Sequence, residues 1–342
     1  MTSNYEPRTQ VRAATAADQH EIEVLIGEMI PDCDPAARWR WVYEANPGGR
    51  ALTWLATTQA GEVVGCTSFF PYRMWIDGEL VRAALGGDGY VRPDYRRRGI
   101  GQLMHAASRE DMAVHGIHCM YGAPGAMNVS PLKHAGSREL GYVSRWSRPL
   151  TGRALGLRPR PLARAFDHTL GAALGRRGPA ALDPVVRHDP RVDRVWEQAR
   201  HTLHIAAVRD AAFYTWRFLD LPGRRATPYA IVERGRPIGV CALEPMHGGR
   251  VVRIVDLIAV PGAWTRSLIA IAGCCATELR ADVVDIKLAT ADGRRRAMWR
   301  AGFFEREHKP FLCMIPPRGD RRFLDVQRWF YTCADSDLED HS

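Results

Sequence analysis

The stretch from Val91 to Gly101, VRPDYRRRGIG, constrains the fold of this chain more than any other. It follows a segment with strand character, residues 79–91, and it precedes apolar residues at helical spacing that begin at Ile100. Glycines let a backbone approach a ligand closely, and the first N–H groups of a helix point toward such a ligand. Three arginines add positive charge, so these residues, here called the cradle, are typical of a phosphate site.

The spacing within the cradle is neither a Walker loop nor a dinucleotide fingerprint. The pattern Val91-x-Pro93-x-x-Arg96-x-x-Gly99-x-Gly101 resembles the pyrophosphate-binding motif of the GNAT superfamily of acyl-CoA-dependent N-acyltransferases. The short form R-x-x-G-x-G recurs by chance, but the longer form between a strand and a helix is specific. The alternative interpretation is a solvated basic turn.

The composition is that of a globular protein, because 46% of the residues are apolar and 25% are charged. A length of 342 residues suggests two domains. Eight cysteines without zinc or C-x-x-C spacing predict buried free thiols and no metal. The start has no apolar core, and no apolar run is long enough for a bilayer. We therefore expect a cytoplasmic protein without a membrane partner.

The net charge of +9 raises the question of a nucleic-acid partner. Only three of the 47 basic residues are lysines, and the arginines are spread along the chain. No arginine–aromatic stripe is present, so the pattern does not favour nucleic acid. Binding of the anionic CoA implied by the resemblance is sufficient to explain a basic protein.

The order of apolar patterns predicts an α/β fold with a mixed sheet. Helices are expected at 18–30 and 36–44, strands at 52–58, 63–76 and 79–91, and a helix from the cradle to His115. A short strand at 119–122, a helix opened by Ser130-Pro131 and ended at Gly141, and a strand at 142–146 follow. The GNAT resemblance implies the same order.

We predict four segments along the chain. They are an N-terminal GNAT domain with the acyl-CoA motif (1–150), a partly helical linker with an amphipathic piece at 162–174 (151–188), a degenerate GNAT-like domain (189–317) and a tail (318–342).

The second half resembles a diverged copy of the first. Trp41-x5-Pro47-Gly48 matches Trp216-x5-Pro222-Gly223, and Asp88-x4-Pro93 matches Asp256-x4-Pro261. The alternative is chance recurrence of Trp, Pro and Gly. After Pro261 the R-x-x-G-x-G pattern is missing, so we expect the second domain to be a scaffold or a wall of the acceptor site.

The resemblance implies which residues bind the cofactor. The backbone of the strand end and the cradle would hold acyl-CoA in the opening beside the strand near Cys119. This set is Tyr90, Val91, Arg96, Arg97, Arg98, Gly99, Ile100, Gly101, Gln102 and Asn128. For Asn128 the alternative is a plain turn residue.

The acid–base residues are less well defined. Asp88 lies in an apolar, glycine-rich strand, where partial burial would suit a base, but Asp256 in the second half favours a structural role equally. The position of the usual family Tyr is Ser137, which leaves Tyr90, Tyr121, His134 or solvent as candidates. No nucleophile setting is evident, so direct transfer is favoured.

The sequence therefore predicts an N-acyltransferase that uses acetyl-CoA, or another acyl-CoA, and a primary amine on a small metabolite. Three alternatives are a module that senses acyl-CoA without turnover, an aminoacyl-tRNA-dependent transferase and a protein acetyltransferase. The acceptor, the acyl chain, the general acid, the oligomeric state and the role of the acidic tail are left open.

Overall fold

The computed structural model describes residues 9–159, 161, 162, 165, 169, 180–290 and 292–336. The chain divides into two compact units, and each unit combines distant stretches of sequence. Unit 1 contains Met1–Met74, Leu80–Gly141 and Pro310–Asp325, and unit 2 contains Trp75–Glu79, Tyr142–Lys309 and Val326–Ser342. The segments predicted from the sequence are continuous, so their boundaries at 150, 188 and 317 do not coincide with the edges of the units.

The strands in chain order are β1 (Gln10–Ala13), β2 (Leu52–Thr57), β3 (Val63–Ile76), β4 (Glu79–Val91), β5 (Ile117–Gly122), β6 (Arg138–Pro149), β7 (Ala180–Pro184), β8 (Ile205–Ala207), β9 (Thr227–Glu233), β10 (Arg236–Met246), β11 (Val251–Ala259), β12 (Val283–Ala289), β13 (Phe304–Met314) and β14 (Trp329–Thr332). The helices are α1 (Gln19–Met29), α2 (Pro35–Arg38, continued as a π-helix over Trp39–Glu44), α3 (Ile100–Asp111), α4 (Ala126–His134), α5 (Pro190–Ala199), α6 (Ala211–Tyr214), α7 (Trp264–Thr277) and α8 (Asp292–Arg300).

The sheet of unit 1 is mixed, in the order β1-β2-β3-β4-β5-β13. β4 and β5 pair in parallel, while β1–β2, β2–β3 and β5–β13 pair antiparallel. Asp77 and Gly78, both at positive φ, form the tight turn that the sequence predicts between β3 and β4. The α/β fold with a mixed sheet is therefore confirmed.

The core of unit 1 attaches α3 to the sheet. Ile100 and Met104 on the first turns of α3 pack against Ala56 and Val64 of the sheet. The indole of Trp54 donates to Asp111 Oδ2 over 2.7 Å at the end of the helix. Both ends of α3 are thus fixed, and the cradle is held in place by buried apolar contacts.

The helix after β5 differs from the prediction. It begins at Ala126, with Pro131 in its interior, and it ends at His134 instead of Gly141. Gly136 lies at φ +102°, and the N–H groups of Gly136 and Ser137 donate to the carbonyls of Lys133 and Leu132. This pair of bonds is a Schellman motif, and it ends the helix early. The prediction that Gly141 ends the helix was wrong, because β6 already begins at Arg138.

Unit 2 repeats the arrangement of strands around its own parallel pair. Its sheet runs β6-β12-β11-β10-β9-β7, with β11 and β12 parallel and the other neighbours antiparallel. In addition, β14 pairs antiparallel with β12 and parallel with β8. The meander β9-β10-β11 followed by α7 and β12 has the same order as β2-β3-β4, α3 and β5 in unit 1.

Each unit takes one strand from the other half of the sequence. β13 follows α8 in the second half, but its residues 310–314 belong to unit 1, where Leu312 pairs with Gly122. β6 follows α4 in the first half, but from Tyr142 onward it belongs to unit 2, where Trp146 pairs with Ile286. Neither half of the sequence therefore contains a complete unit.

Several sequence predictions concern residues without a description. The disordered lead-in at 1–10, the helical piece at 162–174 and the acidic end of the tail lie mostly outside the described residues. Among the helices of the described ranges, none has both the length and the apolar character that crossing a bilayer requires.

Candidate functional site

The cradle of unit 1 places a left-handed backbone at the start of a helix. Arg97 and Gly99 have φ angles of +63° and +75°, and Gly99 immediately precedes Ile100, the first residue of α3. The first N–H groups of an α-helix have no acceptor within the helix, so those of α3 are available to an anion at this end. Gly101 would tolerate a Cβ atom, because no protein atom lies within 4 Å of that position.

The arginines of the cradle are exposed and oriented by the backbone. Arg96 donates through Nε to Val91 O over 2.9 Å, and its guanidinium lies 5.5 Å from the centroid of the Tyr90 ring. Arg98 donates through Nη2 to Asp94 O over 2.9 Å and lies over Tyr95. Each guanidinium keeps further N–H groups for an anion, and two such groups can bind a phosphate in a bidentate manner.

Beside the cradle, β4 and β5 separate. Their parallel pairing ends at Leu85 and Tyr121, although β4 continues to Val91. Gly86 and Gly89, which lie beyond the last pair, are exposed. A Cβ atom on Gly86 would lie 2.9 Å from Met120 Sδ, so a larger residue where the strands part would displace the Met120 side chain. We call this opening the strand gap; the GNAT resemblance implies such an opening at this place.

On the outer face of α3 the cradle continues into a cavity of about 670 Å³. Arg98, Gly99 and Gln102 line its cradle end, and Arg109, Glu110 and His134 line the rest together with small and apolar residues. Arg109 is held by a 3.1 Å hydrogen bond from Nε to Ile315 O. The cavity thus offers two guanidinium groups, together with the carboxylate of Glu110.

Asp88 lies in a buried ion pair. Arg38 donates to both carboxylate oxygens, from Nη2 to Oδ1 over 2.6 Å and from Nε to Oδ2 over 3.0 Å. Tyr43 donates to Oδ2 over 2.8 Å, and burial raises the pKa of Tyr43 well above its ordinary value, so the phenol stays protonated. The Asp88 side chain has no exposed surface. This setting favours the structural role that the sequence left open beside that of a base.

The other predicted residues lie in separate places. Tyr121 is fully buried at the end of the β4–β5 pairing, in edge-to-face contact with Tyr72. His134 is exposed at the end of α4, where Nδ1 donates to Ser130 O over 2.8 Å. Asn128 is exposed within the first turn of α4, and Ser137 is buried between α4 and β6. Of the four acid–base candidates, Tyr90 lies next to the cradle, because the Arg96 guanidinium lies over its ring.

Unit 2 lacks both the cradle and the strand gap. The residue at the start of α7 is Trp264, and Arg266 pairs with Glu233 over 3.2 Å. Pairing of β11 with β12 ends at Ile254 and Ile286, and beyond it Leu288 and Ala289 pair with Thr332 and Tyr331 of β14. Thr332 also donates to Asp256 of β11 over 2.7 Å. The chain's own strand therefore occupies the opening that unit 1 leaves between β4 and β5.

Sequence reasoning missed Arg38 and Tyr43, which bind Asp88. One signal could have found them: Arg38-x4-Tyr43 recurs as Arg209-x4-Tyr214 in the second half. Sequence reasoning also missed the far end of the cavity at Arg109, because the partner of Arg109, Ile315, is distant in the sequence.

Together these features form a three-part site in unit 1. The cradle exposes helix N–H groups and arginine side chains, the strand gap exposes backbone of β4, and the cavity is lined by Arg98, Arg109 and Glu110. Residues of this chemistry fit a long, anionic ligand. Within the described ranges, no cluster of three or more His, Cys, Asp or Glu side chains could hold a metal ion.

Comparison with known proteins agrees with this geometry. Residues 10–134 match the family model of the acetyltransferase (GNAT) domain. None of the curated protein sequences matches the chain.

Solved structures resemble the chain over most of its length. A GCN5-related N-acetyltransferase from Anabaena variabilis is 15% identical with a TM-score of 0.64, and the match covers 90% of this chain and 72% of that one. A probable N-acyltransferase from Enterococcus faecalis is 12% identical with a TM-score of 0.66, over 90% and 73% of the two chains. Eis1 from Mycobacterium abscessus is 16% identical with a TM-score of 0.54, over 90% and 73%.

At these identities the likeness to solved structures concerns the fold. The family model covers β1 to α4, which are the elements that carry the cradle and the strand gap. The resemblance drawn from the cradle is thereby confirmed for this part of the chain: residues 10–134 match the acetyltransferase (GNAT) domain.

Proposed function

We propose that this protein is an acyl-CoA-dependent N-acyltransferase that uses acetyl-CoA and a primary amine on a small metabolite. The observation that carries the proposal is the cradle at the start of α3, next to the gap between β4 and β5, within a GNAT domain. A cytoplasmic location and the absence of nucleic-acid and membrane partners are part of the same proposal.

The proposed roles follow the three parts of the site. The pyrophosphate lies at the cradle, on the N–H groups around Gly99 to Gln102 and on Arg96 to Arg98. The pantetheine arm lies in the strand gap against the backbone of Tyr90 and Val91. The nucleotide end lies in the cavity, where Arg98 and Arg109 face its remaining phosphate. Asn128, exposed at the start of α4, is a further candidate for the arm.

Transfer joins the amine nitrogen to the acyl carbon, breaks the carbon–sulfur bond, and moves one proton from the amine to the leaving thiolate. The amine reacts only in its neutral form, so an ammonium first loses one proton to the protein or solvent, and the attacking amine gives up a second proton as the amide forms. Tyr121 lies where β4 and β5 part, and it is the candidate donor to the thiolate. Tyr90 and His134 are the alternatives, and water accepts the amine proton where no side chain does.

We further propose one acyl-CoA site per chain, in unit 1. Unit 2 has no R-x-x-G-x-G segment, and β14 fills the opening beside β12. Unit 2 then acts as a scaffold, as the degenerate second half of a tandem pair.

The test uses Gly101→Ala with Gly293→Ala as its matched control. Both glycines are second residues of helices, α3 and α8, and a Cβ atom meets no protein atom within 4 Å at either position. Alanine in these helices should leave stability unchanged or raise it by up to about 1 kcal/mol. Acetyl-CoA binding is measured by titration calorimetry and by the shift in melting temperature.

Wild type and Gly293→Ala should bind one acetyl-CoA per chain, and Gly101→Ala should bind more weakly because its methyl group blocks approach to the helix N–H groups. Arg96→Ala should weaken binding as well. Release of CoA thiol with a panel of small amines then separates an enzyme from a sensing module. Wild-type protein that neither binds millimolar acetyl-CoA nor shows a shift in melting temperature with it would overturn the proposal. Salt-sensitive tRNA binding would point to the aminoacyl-tRNA alternative.

A further inference from the structure

The carboxylate of Asp88 is buried and engaged by its own neighbours. Its two oxygens accept three hydrogen bonds, two from the Arg38 guanidinium and one from the Tyr43 hydroxyl. The Arg38 side chain is only 6% exposed and that of Asp88 is not exposed at all. A general base must lie within hydrogen-bond reach of the amine that it deprotonates, so this carboxylate is poorly placed for that role.

The backbone of Asp88, by contrast, is unusual and central to the site. Its φ angle is +46°, in the left-handed region, within the sequence Gly86-Gly87-Asp88-Gly89 of β4. The thiol of Cys66 on β3 donates to Asp88 O over 3.3 Å. The distortion lies after the last β4–β5 pair at Leu85 and directly before Tyr90 and Val91. The conformation of Asp88 therefore sets the direction in which β4 continues along the strand gap.

Unit 2 contains a second trio of the same residue types. Arg209 Nε and Tyr214 OH donate to Asp256 Oδ2 over 3.0 and 2.9 Å, and Asp256 is fully buried on β11. Here the pairing register of β11 with β10 shifts beside Asp256, between Ala242 and Leu243. An Arg–Tyr–Asp trio thus accompanies an irregular strand in a unit without a cradle, where an acyl-transfer base would serve no purpose.

We propose that Asp88, held by Arg38 and Tyr43, is a positioning residue of the acyl-CoA site and not its base. The trio fixes the bend of β4, and the bend presents the backbone of Gly89, Tyr90 and Val91 to the pantetheine arm. This inference rests on the proposed function. It adds that three buried side chains without contact to the ligand determine acyl-CoA affinity.

The test compares Asp88→Asn with Asp256→Asn. Asparagine has the shape of aspartate and tolerates a left-handed backbone, so each change removes charge with little change of volume. Tyr43→Phe and Tyr214→Phe are the milder pair, since each removes the hydrogen bond to the carboxylate and leaves the ion pair. Tyr43→Phe also removes the 3.0 Å hydrogen bond between Tyr43 and Ser68. Acetyl-CoA dissociation constants come from calorimetry, and amide hydrogen exchange is followed over residues 86–91 and 251–259.

Asp88→Asn should raise the acetyl-CoA dissociation constant by roughly tenfold or more, because the strand must then be ordered on binding. Tyr43→Phe should also raise the dissociation constant, but by a smaller factor. In Asp88→Asn and Tyr43→Phe, amide exchange over residues 86–91 should be faster than in wild type when no ligand is bound. Asp256→Asn and Tyr214→Phe should accelerate exchange only over residues 251–259. Their acetyl-CoA affinity should stay within about twofold of wild type.

Unchanged affinity in Asp88→Asn and Tyr43→Phe would overturn the inference, and so would an equal loss in the unit 2 variants, which would indicate a general effect on the fold. If Asp88→Asn does not fold, the acetyl-CoA affinity and amide exchange of Tyr43→Phe and Tyr214→Phe test the inference in its place. Wild-type protein that does not bind acetyl-CoA would overturn the proposed function instead, and exchange over 86–91 would then still report whether the trio fixes β4.

Discussion

Ion pairs of similar geometry have different surroundings in this chain. Arg38 and Asp88 are buried together, and removal of either partner would leave a charge without compensation. Arg145 and Glu307 in unit 2 also form a bidentate pair, from Nε to Oε2 over 2.5 Å and from Nη2 to Oε1 over 2.7 Å, but the Glu307 side chain is 69% exposed. Solvent weakens the second pair, so its effect on stability should be small.

The Arg145–Glu307 pair predicts a pH dependence. The hydrogen bond from Arg145 lowers the pKa of Glu307 to about 2 from 4.5. A carboxylate with a lowered pKa stabilises the fold above its unfolded pKa, and this contribution is lost as the pH falls from 4.5 toward 2. Glu307→Gln should therefore cost about 0.2–1 kcal/mol near pH 7 and progressively less below pH 4.5.

Urea unfolding of wild type and Glu307→Gln between pH 7 and pH 3 measures this difference. A double-mutant cycle with Arg145→Gln isolates the pair, because Arg145 also contacts Ser147 and Asp285. A stability difference that stays constant down to pH 3 would contradict the assignment.

For single residues, the sequence indicated which positions matter, but not which side chains contact them. Asp88 and the cradle residues stand out because their neighbours in sequence are distinctive. Arg38 lies 50 positions from Asp88, and Arg109 lies 206 positions from Ile315. Such long-range contacts follow from the packing of whole elements, which single-residue patterns do not contain.

Strand β4 could be predicted with its bounds, because alternation and the Asp77-Gly78 turn define both ends. The close approach of β4 to β3 could not be predicted from the sequence. A Cβ atom on Gly65 of β3 would lie 2.8 Å from Tyr90 O, on the backbone that we assign to the pantetheine arm. Gly239 of β10 is its counterpart in unit 2, where a Cβ atom would lie 3.0 Å from Ile258 O.

Gly65→Ala should therefore displace β4 at Tyr90, because a backbone oxygen cannot rotate away. We expect a loss of about 1–3 kcal/mol in unfolding free energy together with weaker acetyl-CoA binding. Gly239→Ala should lower stability while leaving acetyl-CoA affinity unchanged. Denaturant unfolding and calorimetry measure both quantities, and equal acetyl-CoA affinity in Gly65→Ala and wild type would count against the placement of the arm.

The end of α4 shows why an element boundary was misplaced. Ser130-Pro131 resembles a helix start, yet the helix already runs through both residues. Two glycines, Gly136 and Gly141, could each end it, and the choice depends on hydrogen bonds from Gly136 and Ser137 back to the last turn. These bonds and the start of β6 at Arg138 belong to the folded chain and leave no distinct pattern in the sequence.

The exchange of β6 and β13 was not predicted at the scale of the whole molecule. The tandem arrangement, with a degenerate second half, stays a prediction that the shared order of strands supports. Repeated motifs show which segments correspond, but not which unit each strand joins. The apolar alternation of a strand indicates which of its faces is buried, but not which of two homologous edges the strand joins.

A fragment of residues 1–150 should not fold, although it contains the whole matched domain. It lacks residues 310–325 of unit 1, including Met314 of the core and the strand that pairs with β5. The uncovered edge of β5 should promote aggregation. Gel filtration and thermal unfolding followed by circular dichroism test this, with the full chain as control.

Co-expression of residues 151–342 should restore folded material by supplying β13. A monomeric 1–150 fragment that unfolds cooperatively would show that β13 is dispensable for unit 1.

The position of β13 in the sequence also determines when unit 1 can be completed during synthesis of the chain. Gly122 of β5 leaves the ribosome long before Leu312, its partner on β13. At about 5–20 residues per second, the interval is roughly 10–40 s. During that time the nascent N-terminal half exposes the edge of β5 that Leu312 later covers, so unit 1 is completed only after most of the second half has been synthesised.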